Sequence, residues 1–160
     1  KLFLNELSKK EYDLPHLKKN KTQIIKDFKK NKFFIYYDRK GHVSRYYGSQ
    51  RAIGINMHGV SACVPYRKFH EYKAFAKNKV IGDHPINNWV EAYLIICAHE
   101  FAHYVQRNAC SRETRYRGLH QKSHGKAFQD MYRHIRKEIV NPMLSEVKEE
   151  SIEIPDQKAA

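Results

Sequence analysis

His99-Glu100-Phe101-Ala102-His103 lies inside an apolar run, and its two histidines are four residues apart. On a helix, positions four apart share a face, one turn above the other. Both imidazoles can then reach one metal ion. Glu100, beside the first of them, is placed to take a proton from water that the metal polarises. Two ligands and a base at this spacing are the catalytic half of a zinc peptidase. The plain alternative is two helix-face histidines next to a surface glutamate. Context decides between them: the motif must be helical, and a third ligand must follow and face the first two.

The flanks predict a helix. Asp83-His84-Pro85 reads as a break, Asn88 as an N-cap, and Glu91 as the answering residue of a capping-box-like pair. Val90, Tyr93, Leu94, Cys97, Phe101, Tyr104 and Val105 recur at helical spacing, and Asn108 is a C-terminal stop. The helix should run from about Trp89 to Arg107. It is apolar around most of its circumference up to Ala102, so it should be the buried centre of the domain.

The third ligand has four candidates: Glu113, Glu138, His120 and His124. The metzincin pattern needs Gly at 106 and His at 109, where this chain has Gln106 and Ala109. Phe128, Met131, Ile135 and Ile139 form a stripe at spacings of three and four. His124 continues that stripe at the top of its helix, so it should face the core and the His99/His103 pair. His120 precedes any helical pattern, and the direction of the face favours His124 over it.

His124-Gly125-Lys126-Ala127-Phe128 has the form H-G-x-x-F, downstream of H-E-x-x-H. This pairing resembles the SprT-like family of zinc metallopeptidases, which includes the Spartan proteases, over roughly Asn88 to Ile139. The resemblance implies one zinc ion on His99, His103 and His124, with Glu100 as general base. It implies a minimal zincin-like domain and action on protein attached to DNA. Many bacterial members add a four-cysteine ribbon after the catalytic domain. Here the cysteines are Cys63, Cys97 and Cys110, and none follows His124. A bare catalytic domain is the expectation, over residues 1–144, followed by an acidic, flexible tail over 145–160.

Composition sets the setting. The chain has 160 residues and a formal charge of +13. Residues 145–160 carry a net −3, so the rest carries +16. A basic body of this kind attracts polyanions, nucleic acid above all. Cations sit beside aromatics in Lys29-Lys30-Asn31-Lys32-Phe33-Phe34, Arg45-Tyr46-Tyr47, Tyr66-Arg67-Lys68 and Arg115-Tyr116-Arg117. Such pairs hold phosphates while rings stack on unpaired bases, so single-stranded DNA is the expected partner. Lysine-rich solvated surface over core tyrosines is the ordinary alternative. No run reaches the roughly 18 apolar residues of a bilayer span, and sparse cysteines point to a reduced, intracellular protein, in cytoplasm, nucleoid or nucleus; a monomer is expected.

The coarse order of elements predicts an α+β domain. A helix is expected over Thr22–Lys30 and a hairpin of Phe33–Tyr37 with Val43–Tyr47. A third strand follows over Ala52–Met57, with Gly54 as a possible bulge. His58–Pro65 reads as loop and Pro65–Lys79 as a basic, helical connection. A last helix should cover Gly125–Val140 and end at Asn141-Pro142. This gives a short, mainly antiparallel three-stranded sheet packed on helices, with zinc between the last two helices. A sheet edge near the metal would hold an extended protein substrate by its backbone. Tyr116, Arg117 and His120 are the candidate oxyanion donors. His16, His42, His58, His70, His84 and His134 are read as surface or packing histidines. The competing reading is a nucleic-acid-binding module with a structural zinc site and no peptidase activity.

Overall fold

Ala52-Ile53-Gly54-Ile55-Asn56 has no polar face, and a strand of that kind belongs at the centre of a sheet. The computed structural model bears this out; it describes residues 26, 30, 32–37, 39–40, 44–47, 49–50, 52–63, 68–108 and 122–149. The strands are β1 (Lys32–Tyr36), β2 (Arg45–Tyr47) and β3 (Ala52–Asn56), in the order β1-β3-β2. All five β3 residues are buried. β1 runs parallel to β3 and β2 runs antiparallel to it. The expected β1–β2 hairpin is therefore replaced by a mixed sheet, because the doubly buried β3 takes the middle. Gly54 pairs in regular register with Phe34 and Arg45, so there is no bulge. A Cβ at Gly54 would lie 2.7 Å from the Phe34 ring, which is the close approach that position serves.

Residues 57–63 form helix α1 (Met57–Cys63) and not the loop expected there. Asn56 ends β3 and its Oδ1 accepts the His58 N–H at 3.0 Å, a side-chain cap that starts the helix directly from the strand. The region expected as a helical connection instead holds strand β4 (Lys68–Phe69), which pairs antiparallel with β5 (His84–Pro85), and turns between them. Asn78 Oδ1 collects the N–H groups of Val80 and Ile81 at 2.9 and 3.2 Å. This side chain competes with helix for the backbone, and the turn wins.

Helix α2 (Trp89–Asn108) is the central helix, about 30 Å long at 1.5 Å per residue. Asn88 Oδ1 caps the Glu91 N–H at 3.0 Å. Glu91 returns its carboxylate to Asn87, at 2.8 Å to N and 3.1 Å to Nδ2, one residue earlier than a standard capping box. Asn108 closes the helix on the Tyr104 carbonyl at 2.8 Å and donates to the Tyr46 hydroxyl at 2.9 Å. Ile53 and Ile55 of β3 join Phe101, Val105, Phe128, Met131 and Ile135 in one core around α2. Cys97 lies in this core, and burial pushes its thiol up to about 12, so it is an inert packing residue.

After α2 come helix α3 (Lys126–Ile135), a π-helical turn (Arg136–Val140) and helix α4 (Asn141–Glu149). Asn141-Pro142 does not end the helix. The Asn141 N–H bonds the Arg136 carbonyl, five residues back. Proline has no N–H and its ring clashes with the carbonyl four residues earlier in a straight α-helix. The wide turn just before Pro142 absorbs that conflict. Buried Ile139, Val140, Met143 and Leu144 keep the continued helix on the core. The first residues of the expected tail are thus helical. Among the described residues no helix is long and apolar enough to cross a membrane. The expected N-terminal helix (apart from Lys26 and Lys30), the loop 109–121 and residues 150–160 lie outside the described residues.

Gly82 donates to Asn78 O at 2.8 Å, and a Cβ there would lie 2.2 Å from Ala76 O and 2.4 Å from Asn78 O. Both obstacles are backbone and cannot swing aside. Gly82→Ala is expected to destabilise the fold by about 1–3 kcal/mol. Thermal melting checks this, and an unchanged midpoint would show that the turn yields freely.

Candidate metal centre

α2 places His99 and His103 on one face, one turn apart, with ring centroids 5.0 Å apart. His124 completes the group from the turn before α3. Its Nε2 lies 2.9 Å from His99 Nε2 and 3.1 Å from His103 Nε2. His124 faces the pair as expected, but not from the top of the helix. α3 begins at Lys126 with Gly125 at its N-cap, and His124 precedes the cap in the left-handed region, φ 57°. That conformation costs a branched-free L residue on the order of 1–2 kcal/mol. The turn is clamped from both helices. Gln106 Nε2 of α2 donates to Lys122 O at 2.7 Å, and Gln129 Nε2 of α3 donates to His124 O at 2.9 Å.

Hydrogen-bond partners fix the chemistry of these rings. His99 Nδ1 faces Glu71 Oε2 at 3.2 Å, and His103 Nδ1 faces Gln106 Oε1 at 3.3 Å. Both partners are acceptors, so each Nδ1 carries the proton and each Nε2 presents a lone pair. His124 Nε2 has at most one proton to offer two lone pairs. One close nitrogen pair is then left without a hydrogen, and a cation between the rings removes the conflict. A tetrahedral ion bound at 2.0–2.1 Å sets its nitrogens about 3.3 Å apart, close to the separations found. His99, His103 and His124 can hold a metal ion, and among the described residues no fourth His, Cys, Asp or Glu joins the group. Burial and the neighbouring imidazoles hold His103 down to about 3 and His124 down to about 4, so both are neutral near pH 7, the ligand form.

Phe128 is fully buried and floors the site, with its ring 4.3 to 4.9 Å from all three imidazoles. Tyr72 is exposed and stacks on His124 at 4.2 Å. Glu100 lies beside the triad, buried at 5 % exposure. Burial pushes its carboxyl up to about 7, against the opposing pull of His99 and a backbone hydrogen bond from Tyr46. Its Oε2 has no hydrogen-bond partner among the described residues. Glu100, Tyr72 and the three imidazoles line a cleft of about 850 Å³.

Glu71 is itself pinned. Asp83 accepts the Glu71 N–H at 2.9 Å and Lys68 Nζ at 3.1 Å, and these contacts lower the Asp83 carboxyl below its ordinary value. Glu71, Tyr72 and the supporting role of Gln106 were not foreseen. Gln106 had a signal, since three residues after His103 it shares the same helical face. Glu71 had none, because it is 28 residues from His99.

The other candidates divide. Arg45 and Lys68 line the cleft, whereas Lys30 and Lys32 are exposed at the β1 side of the sheet. Glu138 is exposed on the π turn and outside the metal group. Lys29, Arg67, Arg115, Glu113, Tyr116, Arg117 and His120 lie outside the described residues. His58 and His70 bond Tyr37 and Asp83.

In comparisons with known proteins, no family model, no curated protein and no solved structure matches this chain.

Zinc at 100 times its dissociation constant should stabilise the chain by about 2.7 kcal/mol. That is a rise in melting temperature of several degrees at this size, and His124→Ala should abolish it. No shift for the wild type would count against the site. Without metal, acid works through two opposed effects. His103 and His124 bind protons more weakly folded than unfolded, so their contribution, complete above about pH 6.5, is lost as pH falls toward 4. Glu100 binds its proton more tightly folded, so it stabilises increasingly as pH falls from 7 to 4.5. Two outweigh one: the metal-free chain should lose stability from pH 7 to 5, and Glu100→Gln should steepen the loss. Melting curves against pH, in chelator, measure both slopes.

Proposed function

We propose that this chain is a zinc-dependent endopeptidase of the SprT-like, zincin-like kind, acting on protein associated with or crosslinked to DNA. One observation carries the reading. A buried carboxylate, Glu100, whose Oε2 has no partner among the described residues, stands beside three imidazole donors joined by no fourth ligand among those residues, at the wall of a cleft. A structural zinc site is closed by four protein ligands, whereas a catalytic one leaves a position open. That favours the peptidase over a nucleic-acid-binding module with structural zinc.

A zinc ion bound by His99, His103 and His124 would supply Lewis acidity toward water and a peptide carbonyl. The rest is the work of the chain. Glu100 takes the proton of the attacking water and passes it to the leaving amine. Among the described residues β2 is an edge strand, and its Arg45 and Tyr46 line the cleft. An extended substrate pairs along it by backbone, which gives weak sequence preference. Tyr72 stands over His124 at the rim, within reach of the bound chain. Arg45, Lys68, Lys73 and Arg107 line the same cleft and draw a polyanion toward it.

Glu100→Gln is expected to keep zinc at wild-type stoichiometry and to lower cleavage by about 10²-fold or more. Metal analysis and a proteolysis assay with and without single-stranded DNA measure the two. Undiminished cleavage would reject Glu100 as the base. Binding to single-stranded DNA should weaken steeply with added salt, and an affinity indifferent to salt would remove nucleic acid from the proposal. A wild type that binds zinc and DNA but cleaves nothing would leave the binding module.

A further inference from the structure

Arg136 is completely buried at the start of the π turn. Phe128, Tyr132 and Arg136 are four residues apart and share a face, as i, i+4 neighbours do. Phe128 uses that face to floor the triad. Tyr132, also fully buried, donates its hydroxyl proton to Glu71 Oε1. Arg136 Nη1 donates to the Tyr132 oxygen at 3.3 Å. Glu71 Oε2 accepts from His99 Nδ1 at 3.2 Å. The four side chains form one unbroken line from the π turn to the metal group.

The direction of every proton in this line is set from its far end. A guanidinium has donors only. The Tyr132 oxygen must accept from Arg136, so its single proton points at Glu71. The Glu71 carboxylate accepts on Oε1 and is left with Oε2 for His99. His99 then carries its proton on Nδ1, and its Nε2 is a bare lone pair. The reverse order would put a proton on Nε2, where a metal must bind. Arg136 Nε also reaches Asn141 Oδ1 at 3.5 Å, which ties the guanidinium to the residue after the turn.

We propose that Tyr132 and Arg136 are positioning residues that act through Glu71 to fix the tautomer and orientation of His99, and so set the metal affinity of the three-histidine site. This rests on the reading of the triad as a metal site. Partners of this sort around metal ligands change affinity by about 10–100-fold when removed.

The test is the dissociation constant for Zn²⁺, measured on the full chain by competition with a chelator. Glu71→Gln should weaken binding about 10–100-fold, and Tyr132→Phe, which keeps the ring and loses only the hydroxyl, about tenfold. The double variant should be no weaker than Glu71→Gln alone, because Tyr132 has nothing left to act through. Arg136→Met should weaken binding in the wild type but not in the Tyr132→Phe background. Arg136→Lys, still a pure donor, should restore most of the affinity. With Co²⁺ in place of zinc, Tyr132→Phe should shift the visible ligand-field absorption, a sign of altered ligand geometry that a loss of packing alone would not give. Additive effects in the double variant, or a Tyr132→Phe that binds Zn²⁺ like the wild type, would overturn the proposal. A wild type that takes up no Zn²⁺ would overturn the metal site itself, a result distinct from failure of the positioning chain.

Discussion

Two imidazole nitrogens held 2.9 and 3.1 Å from a third, His124 Nε2, with the other ring nitrogens of His99 and His103 already engaged, are the constraint on which the architecture turns. Lone pairs at that separation repel unless something positive lies between them. The fold resists the repulsion from every side. α2 is capped at both ends and buried along most of its length, so His99 and His103 cannot separate without unwinding it. Two glutamine side chains tie the His124 turn to the helices on either side. Phe128 closes the floor and keeps water from relieving the crowding from below.

The electrostatics of the cleft follow from depth. The His103 and His124 rings sit where burial penalises their protonation, and Glu100 sits where burial penalises its charge. The same loss of water thus drives bases and acid toward neutrality together. A divalent ion reverses that balance locally, since it is the largest charge in such a site. Cationic side chains are kept at the rim of the cleft, where solvent screens them, and Arg136 is kept behind Tyr132.

Much of this was legible in the sequence because it was local. Asn88, the apolar periodicity and Asn108 delimit α2 within a residue, since caps and stripes act over a few positions. His99, Glu100 and His103 were readable from one helical turn. His124 was readable as a direction, although the left-handed turn that delivers it was not, because no side-chain pattern announces a positive φ at a histidine. Tertiary competition decided the rest. β1 and β2 each looked like half of a hairpin, and only the absence of a polar face on Ala52–Asn56 argued that a third strand would come between them. Asn56 read as a residue inside a strand and not as the cap of α1. Pro142 read as a stop because a π turn upstream cannot be seen in residue types. Glu71 joins the site across 28 residues, and no local rule reaches that far.

One consequence lies in the direction of the strands. Because β1 and β3 run the same way, the chain must travel back between them, and β2 lies within that return path. One side of the cleft, Ser44 to Tyr46, is therefore built from connecting chain, and the strand behind it carries the core. Substitutions at the exposed Arg45 of β2 can reshape the cleft while Ile53 and Ile55 keep their grip on α2. Tyr46 is the exception on that strand: it accepts from Asn108 at the end of α2 and packs on Tyr104, so only the exposed side chains of β2 are free to vary without loosening the helix that carries two of the histidines.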